Sequence, residues 1–213
     1  MVDIELLPEG AARPTSPIDH PQWNFLPLLS AVQRMRFRMA LKLLGARHYG
    51  RLLEIGYGSG IFLPALAQRC GELHGIDPHP MTSQVREAID DCGVVATLAQ
   101  GNAEALPYDA GFFDAVVAVS TLEYVTAIDE ACAEIRRVLA PGGVLVVITP
   151  GATPLWNLAL RVATREGPGQ YGDRRQKLQP ALLRHFRLDG RVGVPAVGGD
   201  LVRLYTGLRL QAE

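Results

Sequence analysis

The chain has 213 residues, 48% of them hydrophobic and 20% charged, a composition that indicates one globular domain and excludes a disordered chain. Its 21 basic and 22 acidic residues leave a net charge of −1, which disfavours a broad basic surface for nucleic acid. The three cysteines form no CxxC or Cys/His cluster, so we expect neither a disulfide framework nor a metal site.

The first 21 residues carry four prolines without periodicity and predict an irregular arm. Apolar residues at helical spacing then predict a helix from Leu28 to Leu44, with Gly45 as its C-cap. We expect residues 1–45 to form a cap over the rest of the fold. The arm has no hydrophobic leader, and the chain has no run of about 18 apolar residues, which favours a cytoplasmic protein without a membrane span.

Short apolar runs alternate with helical segments between residues 46 and 150. The predicted strands are 51–55, 73–76, 94–99, 113–119 and 144–148, and the predicted helices are 60–70, 80–91 and 127–139. This alternation predicts βαβ units, and therefore a parallel sheet with helices on both faces. Thr126 with Asp129 predicts a capping box at the last of these helices, and Pro141-Gly142-Gly143 predicts its end.

The pattern changes in residues 151–213. Thr153-Pro154 predicts the start of one helix, and a second, short helix is expected near Pro180–His185. Two strand-like runs, 191–197 and 201–210, flank a Gly-Gly-Asp turn and predict an antiparallel hairpin. The sheet should therefore begin parallel and end with one reversed strand.

A glycine-rich loop, Gly56-Tyr57-Gly58-Ser59-Gly60, ends the first predicted strand and opens a helix. Glycine permits a tight turn and the close approach of a ligand, and the helix N-terminus adds partial positive charge. A dinucleotide site is the usual interpretation of such a loop, but its third small residue would fall on Ile61. Glu54 would also repel a pyrophosphate and would suit an ammonium group. The loop therefore favours a cationic nucleoside ligand.

Polar residues follow each of the next predicted strands. Asp77 ends the second strand, 21 residues after Gly56, where a carboxylate can accept hydrogen bonds from both hydroxyls of a ribose. His79 is expected to cap the helix that follows. Gly101-Asn102-Ala103-Glu104 follows the third strand and Ser120-Thr121-Leu122 the fourth. All four loops lie at the carboxyl edge of the predicted sheet, where open α/β folds bind ligands.

With these motifs the chain resembles the class I S-adenosylmethionine-dependent methyltransferases, of the small-molecule type related to quinone-ring and sterol methyltransferases. The resemblance rests on LLEIGYGSGIFLPAL (52–66), LHGIDPHPM (73–81), GNAEALPYDAGFFDAVVAVSTLEYV (101–125) and EIRRVLAPGGVLVVITP (134–150). It implies an α/β, Rossmann-like sheet of seven strands in the order 3-2-1-4-5-7-6, with strand 7 antiparallel and helices on both faces. Residues 46–150 would be the cofactor-binding core, and 151–213 the substrate-side helices and hairpin, of a single domain.

The resemblance also implies S-adenosyl-L-methionine as the cofactor and a set of residues that bind it. These would be Glu54, Gly56, Tyr57, Gly58 and Ser120 at the methionine and sulfonium end, Asp77 at the ribose, and Pro78, Met81, Asn102 and Ala103 at the adenine. Members of the family most often carry Asp at the position of Asn102, but an amide oxygen can still accept the bond from the adenine amino group.

Methyl transfer requires mainly that the acceptor is aligned and water excluded, so no catalytic residue is obligatory. A hydroxyl or amine acceptor would benefit from a general base. The candidates for such a base are Glu123, Tyr124, His20, Tyr171 and His185. Glu123 and Tyr124 are the best placed, directly after the fourth strand, although Glu123 at a helix start could equally face solvent.

Three further features of the sequence are candidates for a role at the site: Arg36, the segment Asp19–Asn24, and the basic residues near Arg174. Arg36 lies at the margin of the apolar stripe of the first helix, and our hypothesis is that it pairs with a carboxylate, such as that of the cofactor's methionine. The segment Asp19–Asn24, before that helix, is a candidate cover for the cofactor. Arg174, Arg175 and Lys177 could meet an acidic substrate, or they could belong to a solvated loop.

The leading hypothesis is methyl transfer to a small-molecule or lipid-like acceptor. A non-catalytic protein that binds S-adenosylmethionine or S-adenosylhomocysteine is the alternative. An NAD(P) oxidoreductase is disfavoured by Glu54 and Ile61. A nucleic-acid methyltransferase is disfavoured because Ser120-Thr121-Leu122-Glu123 stands where such enzymes carry N/D-P-P-Y/F. The sequence does not determine the oligomeric state.

Overall fold

Seven strands and five α-helices make up the computed structural model, which describes residues 4–27, 29–151, 174–195 and 204–212. The helices are α1 (Leu29–Leu44), α2 (Leu63–Ala67), α3 (Thr82–Asp90), α4 (Ile128–Val138) and α5 (Arg174–His185). The strands are β1 (Tyr49–Ile55), β2 (Cys70–Asp77), β3 (Thr97–Gln100), β4 (Phe113–Val119), β5 (Leu139–Pro150), β6 (Arg187–Val194) and β7 (Tyr205–Gln211). Short 3-10 helices span Pro21–Asn24 and Leu122–Tyr124.

The strands form one sheet in the order β3-β2-β1-β4-β5-β7-β6. Strands β1 to β5 pair in parallel, and β7 runs antiparallel to both β5 and β6. The predicted order and the reversed final strand are therefore confirmed.

Apolar side chains of the central strands point alternately to two hydrophobic clusters. Leu52, for example, belongs to the cluster that contains residues of α1, α2 and α3, whereas Leu53 belongs to the cluster that contains residues of α4 and α5. This period of two, on strands that are apolar throughout, is what a sheet buried on both faces requires. Helices on both faces are thus confirmed.

Several local predictions differ from the structure. The capping box is wrong: the N-cap of α4 is Ala127, without a side-chain bond, because Asp129 instead receives bonds from Arg184 at 2.7 and 2.8 Å and contacts His185. Helix α4 ends at Val138 and β5 begins at the next residue, before Pro141-Gly142-Gly143. The third strand starts at Thr97 rather than at residue 94. The predicted helix at Thr153-Pro154 and the turn at 198–200 lie outside the described residues.

The N-terminal arm packs on the core. Ile4 and Leu7 are buried, and the Leu7 N–H donates to the Ile61 carbonyl at 3.2 Å. Helix α1 ends as predicted at Gly45, whose φ of +76° is in the left-handed region and whose N–H donates to Leu41. No helix among the described residues has both the length and the hydropathy needed to cross a bilayer.

Arg209 of β7, the strand next to the edge strand β6, fixes the C-terminal end of α1 to the sheet. Its guanidinium donates to the Leu43 carbonyl at 2.6 Å and to Asp189 at 2.8 Å. Because one side chain joins helix and strand, α1 is held across the sheet and carries Arg36 and Phe37 to the strand ends.

Candidate active site

A cavity of about 510 Å³ opens at the carboxyl ends of β1, β2 and β4. The loop after β1, the turns after β2 and β4, and residues of the N-terminal arm and α1 line it. Pro150 at the end of β5 and Tyr205 at the start of β7 also contribute. The volume is within the usual range for small-molecule sites, and the place is the crevice of an open α/β sheet where ligands bind.

The glycine loop has the backbone shape that the sequence predicts. Gly56 has a φ of +79°, and a Cβ built on it would lie 2.3 Å from two side-chain atoms of Thr121. Gly58 has a φ of +50°, but its Cβ position has no neighbour closer than the Asp19 carboxylate at 3.6 Å. Gly56 is therefore needed for packing between the loops, whereas Gly58 leaves open space at the cavity.

Asp77 and His79 fasten this loop to the end of β2. Asp77 accepts the Gly58 N–H at 2.8 Å and the His79 N–H at 3.1 Å. The His79 ring accepts the Met81 N–H at Nδ1, so its Nε2, 2.9 Å from the Gly58 carbonyl, carries the proton and donates it there. His79 does not cap α3, whose N-cap is Met81, and it holds the glycine loop instead.

Two carboxyl groups are buried in the cavity wall. Glu54 is 3% exposed, its Oε2 has no hydrogen-bond partner among the described residues, and burial with the nearby Asp77 raises its pKa to about 8. Glu123 is 1% exposed and, apart from its own backbone N–H, neither of its oxygens has a partner in the described ranges. Burial raises the Glu123 pKa to about 7, opposed by the charges of Arg175 and Arg36. Glu123 therefore does not face solvent.

Arg36 lines the same cavity and lowers the pKa of both Glu54 and Glu123. Its guanidinium carbon lies 4.8 Å from the centre of the Phe37 ring, and its Nε is buried without an acceptor among the described residues. The Arg36 guanidinium thus lies near Glu54 and Glu123, and its Nε–H is still without an acceptor among the described residues. The hypothesis that Arg36 pairs with a ligand carboxylate requires such a donor.

Ser120 is the residue at the end of β4 with an unusual backbone. Its φ of +56° is rare for a residue with a side chain, and its N–H donates to the Ile148 carbonyl at 2.7 Å, which holds it there. Its buried Oγ has no partner among the described residues. Strained residues of this kind cluster at ligand sites.

The structure gathers most, but not all, of the predicted site residues. The predicted residues that line the cavity are His20, Glu54, Gly56, Tyr57, Gly58, Asp77, Pro78, Ser120, Glu123 and Tyr124. Met81, Asn102 and Ala103 are not among the lining residues, and Met81 is 40% exposed, so their role at the adenine stays a prediction. His185 contacts Asp129 of α4 rather than the cavity, and Tyr171 lies outside the described residues.

Sequence reasoning missed how the arm reaches the glycine loop. Asp19 accepts bonds from the Thr15 N–H at 3.1 Å and hydroxyl at 3.0 Å, and from the Ser59 hydroxyl at 3.3 Å. His20 stacks on Trp23 at 4.1 Å between ring centres, and both line the cavity. Asp19, His20 and Trp23 of the candidate cover therefore line the cavity, and their role over a bound cofactor stays a prediction. The prolines of the arm predicted only an irregular path.

The buried carboxyls predict a pH dependence of stability in the ligand-free protein. A folded-state pKa raised above the unfolded value means that the contribution to stability is present at low pH and is lost as pH rises through about 7 for Glu123 and 8 for Glu54. We measure the free energy of unfolding of Glu54→Gln, Glu123→Gln and the unmodified chain in urea. The difference should shift in favour of each variant as the pH rises from about 5.5 to about 8.5. Glu134→Gln is the control. The hydrogen bond from Arg137 lowers the Glu134 pKa, so this carboxyl is ionised at both pH values and the variant should lose the same amount of unfolding free energy at each.

Comparisons with known proteins agree with this geometry. The family described as a methyltransferase domain matches residues 53–147. The phosphatidylethanolamine N-methyltransferase of Cereibacter sphaeroides is 34% identical over 102 residues, 46% of this chain and 50% of that protein. The ubiquinone/menaquinone biosynthesis C-methyltransferase UbiE of Shewanella pealeana is 32% identical over 123 residues, 55% of this chain and 49% of that protein. The chain thus spans about half the length of these curated relatives.

Solved structures share the architecture at low identity. A SAM dependent methyltransferase from Aquifex aeolicus superposes with a TM-score of 0.66 at 17% identity, over 85% of this chain and 93% of that one. The [4+2]-cyclase SpnF superposes with a TM-score of 0.64 at 21% identity, over 86% and 81%. At these identities the likeness shows the fold alone. Residues 53–147 thus match a methyltransferase domain, and the strand order and the glycine loop agree with the fold of the class I S-adenosylmethionine-dependent methyltransferases.

Proposed function

We propose that the protein transfers the methyl group of S-adenosylmethionine to a small-molecule or lipid-like acceptor by in-line displacement. The observation that carries the proposal is the buried carboxyl of Glu54, one oxygen of which has no partner among the described residues, beside a glycine loop that Asp77 holds. A carboxyl there suits an ammonium group and disfavours the pyrophosphate of a dinucleotide.

The residues present fit the cofactor. Glu54 would bind its ammonium group, Asp77 its ribose hydroxyls, and Arg36 its carboxylate. The Ser120 hydroxyl, which has no partner in the part of the chain that the structure describes, would lie at its sulfonium end. When bound, S-adenosylmethionine supplies a methyl group that is already activated, so the chain has to align the acceptor and exclude water. The arm over the cavity mouth, fixed to Ser59 by Asp19, performs the second task.

The nature of the acceptor is inferred from relatives and from the apolar part of the wall. The two relatives are named for phosphatidylethanolamine and for ubiquinone/menaquinone biosynthesis. Ile18, Phe37, Phe62 and Val119 give the cavity an apolar side that suits such a molecule. We place the reaction in the cytoplasm, within one domain of residues 1–213, as part of the same proposal.

Calorimetric titration with S-adenosylmethionine, S-adenosylhomocysteine and NADH tests the proposal first. We expect both adenosyl ligands to bind and NADH not to bind. Mass spectrometry then measures S-adenosylhomocysteine formed in the presence of phosphatidylethanolamine vesicles, alkylphenols and alkylamines. Binding without formation of product with any acceptor would favour the non-catalytic alternative, and NADH binding in place of the adenosyl ligands would contradict the cofactor.

A further inference from the structure

Glu123 follows β4, two strands away from β2, which carries the proposed ribose residue Asp77. In the sheet β1 stands between β2 and β4, and parallel strands are about 4.8 Å apart. Asp77, Glu54 and Glu123 therefore follow one another along the strand ends. Beyond β4 the wall continues to Pro150 and Tyr205, which come from β5 and β7. The proposed cofactor residues Glu54 and Asp77 belong to β1 and β2, and Ser120, directly after β4, would meet the sulfonium end. The part of the cavity beyond Ser120, at Glu123, is therefore left for the acceptor.

The environment of the buried Glu123 carboxyl favours a bound ligand that donates a hydrogen bond. A carboxyl taken out of water without hydrogen bonds costs free energy, and nearly all buried polar groups in native proteins have partners. Glu123 lines the cavity, and neither of its buried oxygens has a partner in the described ranges beyond its own backbone N–H. Arg36 of α1 and Arg175 of α5 are the cations that favour its ionised form. A proton donor on a bound molecule would satisfy these oxygens.

Resting on the proposed function, we propose that Glu123 is the general base of the transfer and that the acceptor is an apolar molecule whose nucleophile is a hydroxyl or an amine. In the step, the acceptor oxygen or nitrogen forms a bond to the methyl carbon. The bond from sulfur to that carbon breaks, and its electron pair stays on sulfur, which becomes a neutral thioether. The acceptor's proton passes to a carboxylate oxygen of Glu123, so atoms and charge balance.

Both nucleophiles share one requirement, an O–H or N–H directed at Glu123. A methylated analogue of each has the same apolar body but no proton to donate. The probes are therefore 4-butylphenol with 4-butylanisole, and octylamine with octyltrimethylammonium. A carbon nucleophile, or a site for a quaternary ammonium, would not distinguish the members of these pairs in the expected direction.

The experiment titrates each probe into the protein saturated with S-adenosylhomocysteine and measures binding by calorimetry. We expect 4-butylphenol or octylamine to bind at least about tenfold more tightly than its methylated analogue, and the preferred pair identifies the nucleophile. Glu123→Gln should remove about tenfold or more of that affinity while the affinity for S-adenosylhomocysteine stays within about twofold. Glu54→Gln is the matched control. It should weaken the binding of S-adenosylhomocysteine and leave the preference between the members of each probe pair unchanged.

Equal binding within both pairs, no binding of either proton-bearing probe, or unchanged probe affinity in Glu123→Gln would overturn the proposal. The comparison within each pair uses the unmodified protein and so does not depend on how the variant folds. If S-adenosylhomocysteine itself fails to bind, the proposed function falls and this proposal falls with it. If it binds and the probes fail, only the role of Glu123 is lost.

Discussion

Asp77→Ala is expected to weaken the binding of S-adenosylhomocysteine by about 100-fold or more, measured by calorimetry. Hydrogen bonds to a charged acceptor contribute about 1.5–3 kcal/mol each, and the Asp77 carboxylate could accept two from a ribose. The Asp77 carboxylate also accepts the Gly58 N–H and so holds the glycine loop in place. Its removal therefore deletes the proposed ligand contact and also frees the loop. An affinity within tenfold of the unmodified protein would contradict the role of Asp77.

Two controls separate these contributions. His79→Ala removes the other tie to the loop, the bond from Nε2 to the Gly58 carbonyl, and should weaken binding by less than about tenfold. The 2′-deoxyribose analogue of S-adenosylhomocysteine removes a hydroxyl from the ligand. In a double-mutant cycle the analogue should lose affinity with the unmodified protein and much less with Asp77→Ala, because the interaction is then already absent. Additive losses would show that Asp77 acts on the loop alone.

A parallel sheet with helices on both faces and one reversed strand could be predicted from the sequence, because alternating apolar runs and helical stripes are local signals. The order of the strands was implied only by the family resemblance. The boundaries could not be predicted as well. Thr126 and Asp129 have the spacing of a capping box, but the Asp129 side chain bonds Arg184 from a helix some 55 positions later. A sequence pattern carries no information on such a tertiary competitor.

At the site, too, local sequence signals predict some residues, whereas others depend on tertiary contacts. Glu54, Asp77 and Ser120 could be placed because strand ends in a parallel sheet meet at one edge. The burial of Glu123 could not, since it depends on the packing of the 3-10 helix Leu122–Tyr124 against α5 and β5, which no local pattern specifies. For His79 the local sequence likewise predicts a cap on the nearest helix, whereas its ring contacts Gly58, 21 positions earlier in the chain.

Gly56→Ala is expected to destabilise the protein by about 4 kcal/mol, measured by urea unfolding without ligand. About 1–2 kcal/mol would come from forcing a side chain into the left-handed region, and about 1–3 kcal/mol from overpacking. The added Cβ would meet the Thr121 side chain at 2.3 Å, and Thr121 is fixed by its bond to the Val119 carbonyl at 3.3 Å. A loss of less than about 1 kcal/mol would contradict this account.

Gly93→Ala provides the matched control for the backbone alone. Gly93 has a φ of +70°, like Gly56, but a Cβ built on it has no neighbour within 4 Å, so about 1–2 kcal/mol is expected. Thr121→Ala in the Gly56→Ala background should recover part of the loss, since two of the three close atoms disappear while the Thr121 Cβ remains at 2.8 Å. Recovery in that pair, and none in Gly93→Ala with Thr121→Ala, would show that the loops after β1 and β4 are joined at Gly56, where the proposed cofactor and acceptor parts of the cavity meet.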